Sequence, residues 1–292
     1  MIGIILAGGK GTRMYPFDNI ISKHLLPIYD KPLIYYSIST LMLIGIKDVL
    51  IVVDKNYLRE YKKLLLDGSQ FGIKINFIVQ ERPNGIVHAI KICKKYIKNK
   101  NFVLYLGDNI FYGHGIIDIF NLAKKNISKI SSIFTYRTTN PKAFGILKKN
   151  KANKMLKIYE KPSRLIGDEA VTGIYFYNYR VLNFINKINY SKRKELEITD
   201  LNNLLIEKKK LKYFYLGRGA TWFDCGSIDE MVNASNFFSS IEKKQGTKVY
   251  CPEEISFTKK LITEKKLKYK IKNLKNSSYR RYLVEKVLGF KK

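Results

Sequence analysis

The chain has 292 residues, 46% of them hydrophobic and 13% aromatic, enough to bury a full core as one large α/β unit or a unit and a half. No apolar run reaches the ~18 residues of a membrane-spanning helix, which argues against a membrane protein. The 54 Lys+Arg against 24 Asp+Glu give a formal net charge of +30, but the excess is scattered Lys with no zinc module, RNA-binding signature or basic arm, so nucleic acid is not the expected partner.

Residues 1–7 are apolar without a basic leading stretch, too short for a secretion signal, and read as a first strand. With Cys93, Cys225 and Cys251 far apart and at no metal-ligand spacing, a reducing, cytoplasmic setting is expected. Predicted strands at 3–6, 49–53, 75–79 and 102–106 alternate with predicted helices at 33–44, 57–66, 87–97 and 116–125. That alternation predicts an α/β fold with a mostly parallel sheet and helices on both faces. Ligands of such sheets sit beyond the C-terminal strand ends. The segments 8–13, 80–85 and 107–109 each follow a predicted strand, so they should converge on one crevice. Beyond Ser128 the runs at 130–137, 144–147, 155–159 and 171–177 are strand-like and close together, predicting a mixed or antiparallel extension. Helices are predicted at 181–188, 199–208 and 230–244, and short strands at 214–216 and 221–223. From about Glu253 the chain is Lys-rich and mostly helical, with Tyr282, Val284, Val287 and Leu288 as an apolar stripe; Lys208–Lys210 and Lys265–Lys266 read as solvated helix ends.

The first strand empties into Gly8-Gly9-Lys10-Gly11-Thr12-Arg13, and Lys23 follows in Ser22-Lys-His-Leu-Leu-Pro27. Glycines bring bare N–H groups close to a ligand, and the two cations suit a polyphosphate. The spacing excludes a dinucleotide fingerprint, because position 14 is Met rather than Gly, and no Gly-Lys-Ser/Thr of a P-loop occurs. Asp108 and Asp224 each follow an apolar run. On spacing alone such an Asp is more often a cap or turn former than a metal ligand. Similarly, Glu160-Lys161-Pro162 alone reads as a charged turn, Gly145 as a strand bulge, Val171 as core, and Thr199 or Asp200 as a helix cap.

Taken together, the glycine-rich loop with Lys23, the stretch Gln80 to Ala89, Leu106-Gly-Asp-Asn-Ile-Phe-Tyr-Gly113, Glu160-Lys-Pro162, 170–177, Glu195-Leu-Glu-Ile-Thr-Asp200 and Trp222-Phe-Asp-Cys-Gly226 resemble the sugar-phosphate nucleotidylyltransferases in type and order. The resemblance runs to about residue 255. It implies a Rossmann-like mixed sheet with a smaller sugar-binding extension and a helical C-terminal region. The implied domains are a nucleotidyltransferase domain at 1–240, with a nucleotide half (1–128) and a sugar-phosphate half (129–240), and an extension at 241–292. The implied reaction moves dTMP from dTTP to glucose 1-phosphate with Mg²⁺, opening a deoxysugar pathway such as that to dTDP-rhamnose. UTP remains an alternative, since a Gln80 amide matches the imide edge of thymine and uracil alike. The implied nucleotide site is Gly8, Gly9, Gly11, Thr12, Arg13, Lys23, His24, Gln80, Gly85 and Asp108. Asp108 and Asp224 would hold the metal; Asn109, Gly145, Glu160, Lys161 and Val171 would hold the sugar phosphate. Arg13, Lys23, Asp108, Lys161 and Asp224 would form the catalytic set. A homotetramer inhibited by end product, with the tail after Phe237 contributing, is also implied.

Five positions depart from the family pattern. His24 stands where Gln is usual, so a titration near neutrality is expected there. Val87-His88 replaces a small residue and Gln; Phe144 replaces a common Tyr. Cys225 replaces Thr, so a weaker hold on Asp224 is expected. Two other classes of reading predict no turnover: a non-catalytic binding module of the same fold, and a nucleic-acid binder driven by charge. Related regulatory proteins usually lose the Arg or the carboxylates, whereas Arg13, Lys23, Asp108 and Asp224 all stand here.

Overall fold

A computed structural model describes residues 1–9, 11–82 and 84–289; Lys10 of the glycine-rich loop, Pro83 of the 80–85 segment and the last three residues of the tail lie outside them. In chain order the elements are β1 (Ile2–Ala7), β2 (Pro27–Ile28), β3 (Lys31–Pro32), α1 (Leu33–Leu43), β4 (Asp48–Val53), α2 (Leu58–Leu65), β5 (Lys74–Val79), α3 (Ile86–Ile97), β6 (Phe102–Leu106), β7 (Asn109–Gly113) and α4 (Ile116–Asn126). There follow β8 (Ser131–Arg137), β9 (Gly145–Lys149), β10 (Met155–Glu160), β11 (Glu169–Tyr177), α5 (Ile198–Glu207), β12 (Leu211–Tyr215), β13 (Ala220–Asp224), α6 (Ile228–Gln245), α7 (Pro252–Thr258), α8 (Glu264–Lys272) and α9 (Ser278–Tyr282).

β1 is apolar throughout because it is central: it pairs in parallel with β4 on one side and β6 on the other, and helices cover both faces. β5 extends the parallel set beyond β4. β11 then reverses direction. One edge of it pairs antiparallel with β8, while the other pairs with β6 along its second half and meets β9 at Ala170. The sheet therefore forks at β11, and the β9–β10 hairpin forms one branch. This is the α/β mixed sheet that the alternation predicts.

Two apolar layers flank the sheet. α3 buries Val87, Ile90, Cys93 and Ile97 at helical spacing against one face. α1 is buried nearly all round, between the other face and α7. α6 is capped by Ser227 and closed by left-handed Gly246, with acids in its first turn and lysines in its last. The C-terminal stripe packs: Leu283 is buried with Cys251, Ile262, Leu267 and Ile271, and Tyr282, Val284, Val287 and Leu288 lie against them.

Two elements differ from the sequence expectation. Residues 181–188 do not form an α-helix but two 3₁₀ turns, Tyr179–Asn183 and Ile185–Lys187, separated at Phe184. The Asn178 side chain accepts from Arg180 N–H and fixes a tight turn at the outset, and β-branched residues in this stretch disfavour a longer helix. The second difference is β7, a strand that the sequence reading did not assign, which follows Asp108 directly and pairs antiparallel with β13 so that Asn109 faces Asp224.

Candidate active site

Three loops reach the crevice from the ends of β1, β5 and β6, and two more from β10 and β13. After β1, Gly8 is packed against the start of the loop beyond β4: a Cβ there would stand 3.3 Å from Val53 C and 3.5 Å from Asp54 N. Gly9 is open to solvent, and Gly11 takes the left-handed conformation (φ 65°) that admits the 3₁₀ turn Thr12–Met14. Arg13 emerges from that turn, and its guanidinium lies against Gly226, where a Cβ would come within 2.5 Å of it. Gly226 thus makes room for Arg13 beside Asp224.

Lys23 sits in a second 3₁₀ turn and its ammonium pairs with Asp108 Oδ2. Asp108 Oδ1 accepts from Asn109 Nδ2 at 2.9 Å, and the same nitrogen lies 3.4 Å from Asp224 Oδ1. Asn109 Oδ1 accepts from Trp222 Nε1 at 2.6 Å and Gly173 N–H at 2.9 Å. The Asn109 amide is therefore buried and fully used, holding the two carboxylates. A Cβ on Gly173 would fall 2.4 Å from Asn109 Oδ1, so only glycine fits. The Cys225 N–H donates to the Asp108 carbonyl at 2.8 Å, whereas its thiol packs with Met14, Tyr36 and Phe238. Cys225 supports the site through its backbone, so the weaker hold expected from losing Thr does not follow from its side chain.

The two carboxylates are electrostatically unlike. Burial alone would raise Asp108, but the Lys23 ammonium and the hydrogen bonds from Lys23 and Asn109 hold it below the ordinary carboxylate range. Burial, and then the Asp108 charge, push Asp224 up to about 7 against the pull of Lys23 and Arg13. The described residues contain no cluster of three or more His, Cys, Asp or Glu fit to cage a metal. Two half-buried hard-oxygen donors whose mutual repulsion a divalent cation would relieve fit magnesium, which takes one or two carboxylates and leaves the rest to substrate phosphates.

His24 is fully buried. Ser22 Oγ stands 3.2 Å from its Nδ1 and 2.8 Å from Tyr61 Oη, and a Cβ on Gly107 would strike the ring at 2.9 Å. Burial, and then the Lys23 ammonium, lower it to about 3, so the titration expected near neutrality is absent and the ring is neutral.

In the β9–β10 ladder, Gly145 lies opposite Glu160. The register shift of that hairpin falls between Met155 and Lys157, so Gly145 is no bulge; its missing side chain leaves space for the Glu160 carboxylate, 3.3 Å from a would-be Cβ. Glu160 Oε2 accepts from Thr199 Oγ1 at 2.5 Å and Oε1 from Arg193 Nη2 at 3.3 Å. Arg193 is itself clamped by both oxygens of Glu197, at 3.1 and 2.8 Å. Thr199 and Asp200 do not cap α5, whose N-cap is Glu197 without a side-chain cap bond. Lys161 takes a left-handed backbone (φ 41°), pinned by its N–H to Phe144 O at 3.0 Å, and its ammonium forms no ion pair with a described residue. Val171 is half-buried on β11 and lines the cavity, with Phe144 and Trp222 ring to ring at 4.9 Å beside it.

The crevice has two lobes. One, about 350 Å³, is lined by Gly8, Gly9, Lys23, His24, Gln80 and Gly85. The other, about 530 Å³, is lined by Arg13, Gly145, Val171, Thr199, Trp222 and Asp224. Asp108, Glu160 and Lys161 line both. Gly85 has a second duty: at φ 97° it admits the Leu196 backbone, which a Cβ would meet at 2.6 Å. That contact seats the 195–197 segment over the first lobe.

A profile of the nucleotidyl transferase family matches residues 2–240. The chain belongs to that family. Within it, this nucleotidyltransferase is 40% identical over 284 residues, 97% of its length and 98% of the other's, to a curated glucose-1-phosphate thymidylyltransferase of Neisseria meningitidis. It is 38% identical to the enzyme of the same name from Mycolicibacterium smegmatis, over 98% of both chains. A Bacillus anthracis protein assigned that name and solved with sucrose superposes at a TM-score of 0.74 with 32% identity, covering 81% of this chain and 95% of its own.

Sequence reasoning missed the ties that orient the site: Trp222 to Asn109, Gly173 under Asn109, Arg193 to Glu197, and His88 to Gln80. The available signal was the 195–200 stretch that carries part of the resemblance, which contains Glu197 and Thr199.

Proposed function

We propose that this chain transfers the dTMP group of dTTP to α-D-glucose 1-phosphate, releasing dTDP-glucose and pyrophosphate. The observation that carries the reading is the meeting of two differently built lobes at Asp108, with Glu160 and Lys161 common to both. The first lobe suits a nucleotide: bare backbone at Gly8 and Gly9 for phosphates, and the Gln80 amide for a base. The second suits a sugar phosphate: the Glu160 carboxylate keeps lone pairs free for vicinal hydroxyls, and Lys161 offers its ammonium to a phosphate. The names of the relatives support thymine and glucose as the base and sugar.

In the reaction a phosphate oxygen of glucose 1-phosphate attacks the α-phosphorus of dTTP, one P–O bond forms, and the bond to the β-phosphate breaks. Lys161 holds the attacking phosphate, and Arg13 stabilises charge on the leaving pyrophosphate. Lys23 holds the triphosphate and, through its pair with Asp108, keeps that carboxylate ionised. Asp108 and Asp224 would hold Mg²⁺, which when bound supplies Lewis-acid neutralisation of the phosphates. We assign residues 1–128 to the nucleotide half and 129–240 to the sugar half. By the family resemblance, the assembly is a cytoplasmic homotetramer to which 241–292 contribute, acting at the start of a deoxysugar pathway such as that to dTDP-rhamnose.

The test is pyrophosphate release from dTTP and glucose 1-phosphate with Mg²⁺, run beside UTP and an Asp108→Asn variant. Mg²⁺-dependent release with dTTP, lost in the variant, is expected. Preference for UTP would correct the base, and a folded protein releasing nothing with any triphosphate would overturn the enzyme reading.

A further inference from the structure

The crevice lies at the C-terminal strand ends, and the opposite end of the sheet carries a face of its own. β1, β4, β5 and β6 run parallel, so their first residues lie together there. β11 finishes at that end, with Tyr177 opposite Phe102, and β8 and β12 start there, with Leu211 opposite Ser131. α3, α4 and α5 end beside those starts, because they lead into β6, β8 and β12. Hydrogen bonds stitch the connections into one surface. Asn101 O accepts from Ile2 N–H, Asn101 Oδ1 from Tyr179 N–H and Lys210 O from Ser131 N–H, each at 3.1 Å. Asn178 Nδ2 donates to Ser128 O at 2.8 Å.

Cations that are scattered in the sequence meet on this surface. Lys98 and Lys100 follow α3, Lys129 follows α4, Lys208–Lys210 follow α5 and Arg180 follows β11, and all are exposed. The segments 98–101, 127–131, 178–187 and 208–210 contain no Asp or Glu. Of these cations only Lys100 has an ion pair with a described residue, at 4.0 Å from Asp48. Taken singly, a lysine here offsets the negative end of its own helix. Three such ends side by side make a basic face. Within it opens a pocket of about 70 Å³, lined by the apolar Ile130, Val181 and Phe184 and by the cations Lys129, Arg180 and Lys210.

We propose that this end of the molecule docks on an anionic lipid bilayer, with lipid phosphates on the cations and the pocket holding the apolar shoulder of one lipid. Charge complementarity sets the sign of the partner. An apolar pocket among cations fits an amphiphile better than a nucleic acid, whose outer surface is phosphate and sugar. Lysine carries most of the charge, and its ammonium lacks the planar fork that reads phosphates and base edges. A second copy of the same face would set cation against cation. No helix among the described residues is long and apolar enough to cross a membrane, so the contact is peripheral. Docked this way, the crevice faces away from the bilayer and stays open.

Co-sedimentation of the full chain with vesicles tests this without requiring turnover. Vesicles of phosphatidylcholine alone are compared with vesicles half of phosphatidylglycerol. The comparison is made at about 0.1 M and about 1 M salt, between which the screening length falls from about 10 to about 3 Å. Binding is expected only to the anionic vesicles and only at the lower salt. Lys129→Glu, Arg180→Glu and Lys209→Glu together should weaken it about a hundredfold. Gln at the same three positions should weaken it about tenfold and serves if the Glu set misfolds. A control set, Lys55→Glu, Arg59→Glu and Arg218→Glu, makes the same change in net charge at exposed cations that follow the C-terminal ends of β4 and β12. It should bind like the parent. Equal loss in the two Glu sets would trace the binding to net charge and overturn the proposal. A parent that leaves anionic vesicles unbound, or that binds duplex RNA more tightly than those vesicles at the lower salt, would overturn it as well.

Discussion

Trp222 Nε1 donates to Asn109 Oδ1 at 2.6 Å, and that bond decides which way the Asn109 amide points. With the oxygen claimed by Trp222 and by Gly173 N–H, the nitrogen must face Asp108 and Asp224. Groups that orient metal ligands are commonly worth about ten- to a hundredfold in metal affinity or activity. Asn109→Ala should therefore weaken Mn²⁺ binding, read by electron paramagnetic resonance, on that scale. Gly173→Ala should do the same without touching either carboxylate, because its Cβ would displace the amide. Unchanged Mn²⁺ affinity in both variants would show that Asn109 merely fills space.

Lys161 and Arg13, two crevice cations with no ion pair to a described residue, are expected to fail differently. Lys161→Ala should raise KM for glucose 1-phosphate while leaving binding of dTTP close to the parent's. Arg13→Ala should lower kcat by about a hundredfold, as loss of a donor to developing charge does elsewhere, with a smaller effect on KM for the sugar phosphate. Steady-state kinetics with each substrate varied separates them; the reverse pattern would exchange their roles.

The parallel strands and their helices were legible because both faces of that sheet are buried, which leaves continuous apolar runs such as Val49–Val53. The site's parts were legible as motifs, and their roles came from resemblance. What joins the parts was not. β7 and β13 are more than a hundred residues apart, and neither carries a local signal that Asn109 will face Asp224. Nor does sequence report burial: His24 invites a pH-switch reading as a bare imidazole, and only its enclosure by Tyr61, Ser22 and Gly107 makes it a neutral structural group.

Thr199 donates to Glu160 at 2.5 Å, and Arg193 approaches the other oxygen at 3.3 Å. Together they fix the carboxylate that lines both lobes. Thr199→Val keeps the shape and removes the donor. A hydrogen bond to a charged group is worth about 1.5–3 kcal/mol, discounted here because Glu160 is partly exposed. KM for glucose 1-phosphate should rise about tenfold, with melting temperature little altered. A KM equal to the parent's would mean that Arg193 alone orients Glu160.

His24 sets a prediction for acid stability. Its pKa is lowered to about 3 in the folded chain and returns to the ordinary value near 6.5 on unfolding. Between those values the unfolded chain binds a proton that the folded chain refuses, so stability falls as pH drops below about 6.5 and the loss is complete near pH 3. The slope for one such group is about 1.4 kcal/mol per pH unit. Above 6.5 both states are neutral and His24 contributes no pH dependence. Thermal unfolding from pH 7 to 4.5 should show this fall in melting temperature, and His24→Gln, the residue usual at this position in the resembling family, should flatten it. The same variant should leave the activity profile between pH 6 and 8 without a lost inflection. An inflection near 6.5 that disappears with His24 would mean that the ring is reached by solvent and titrates in the folded protein.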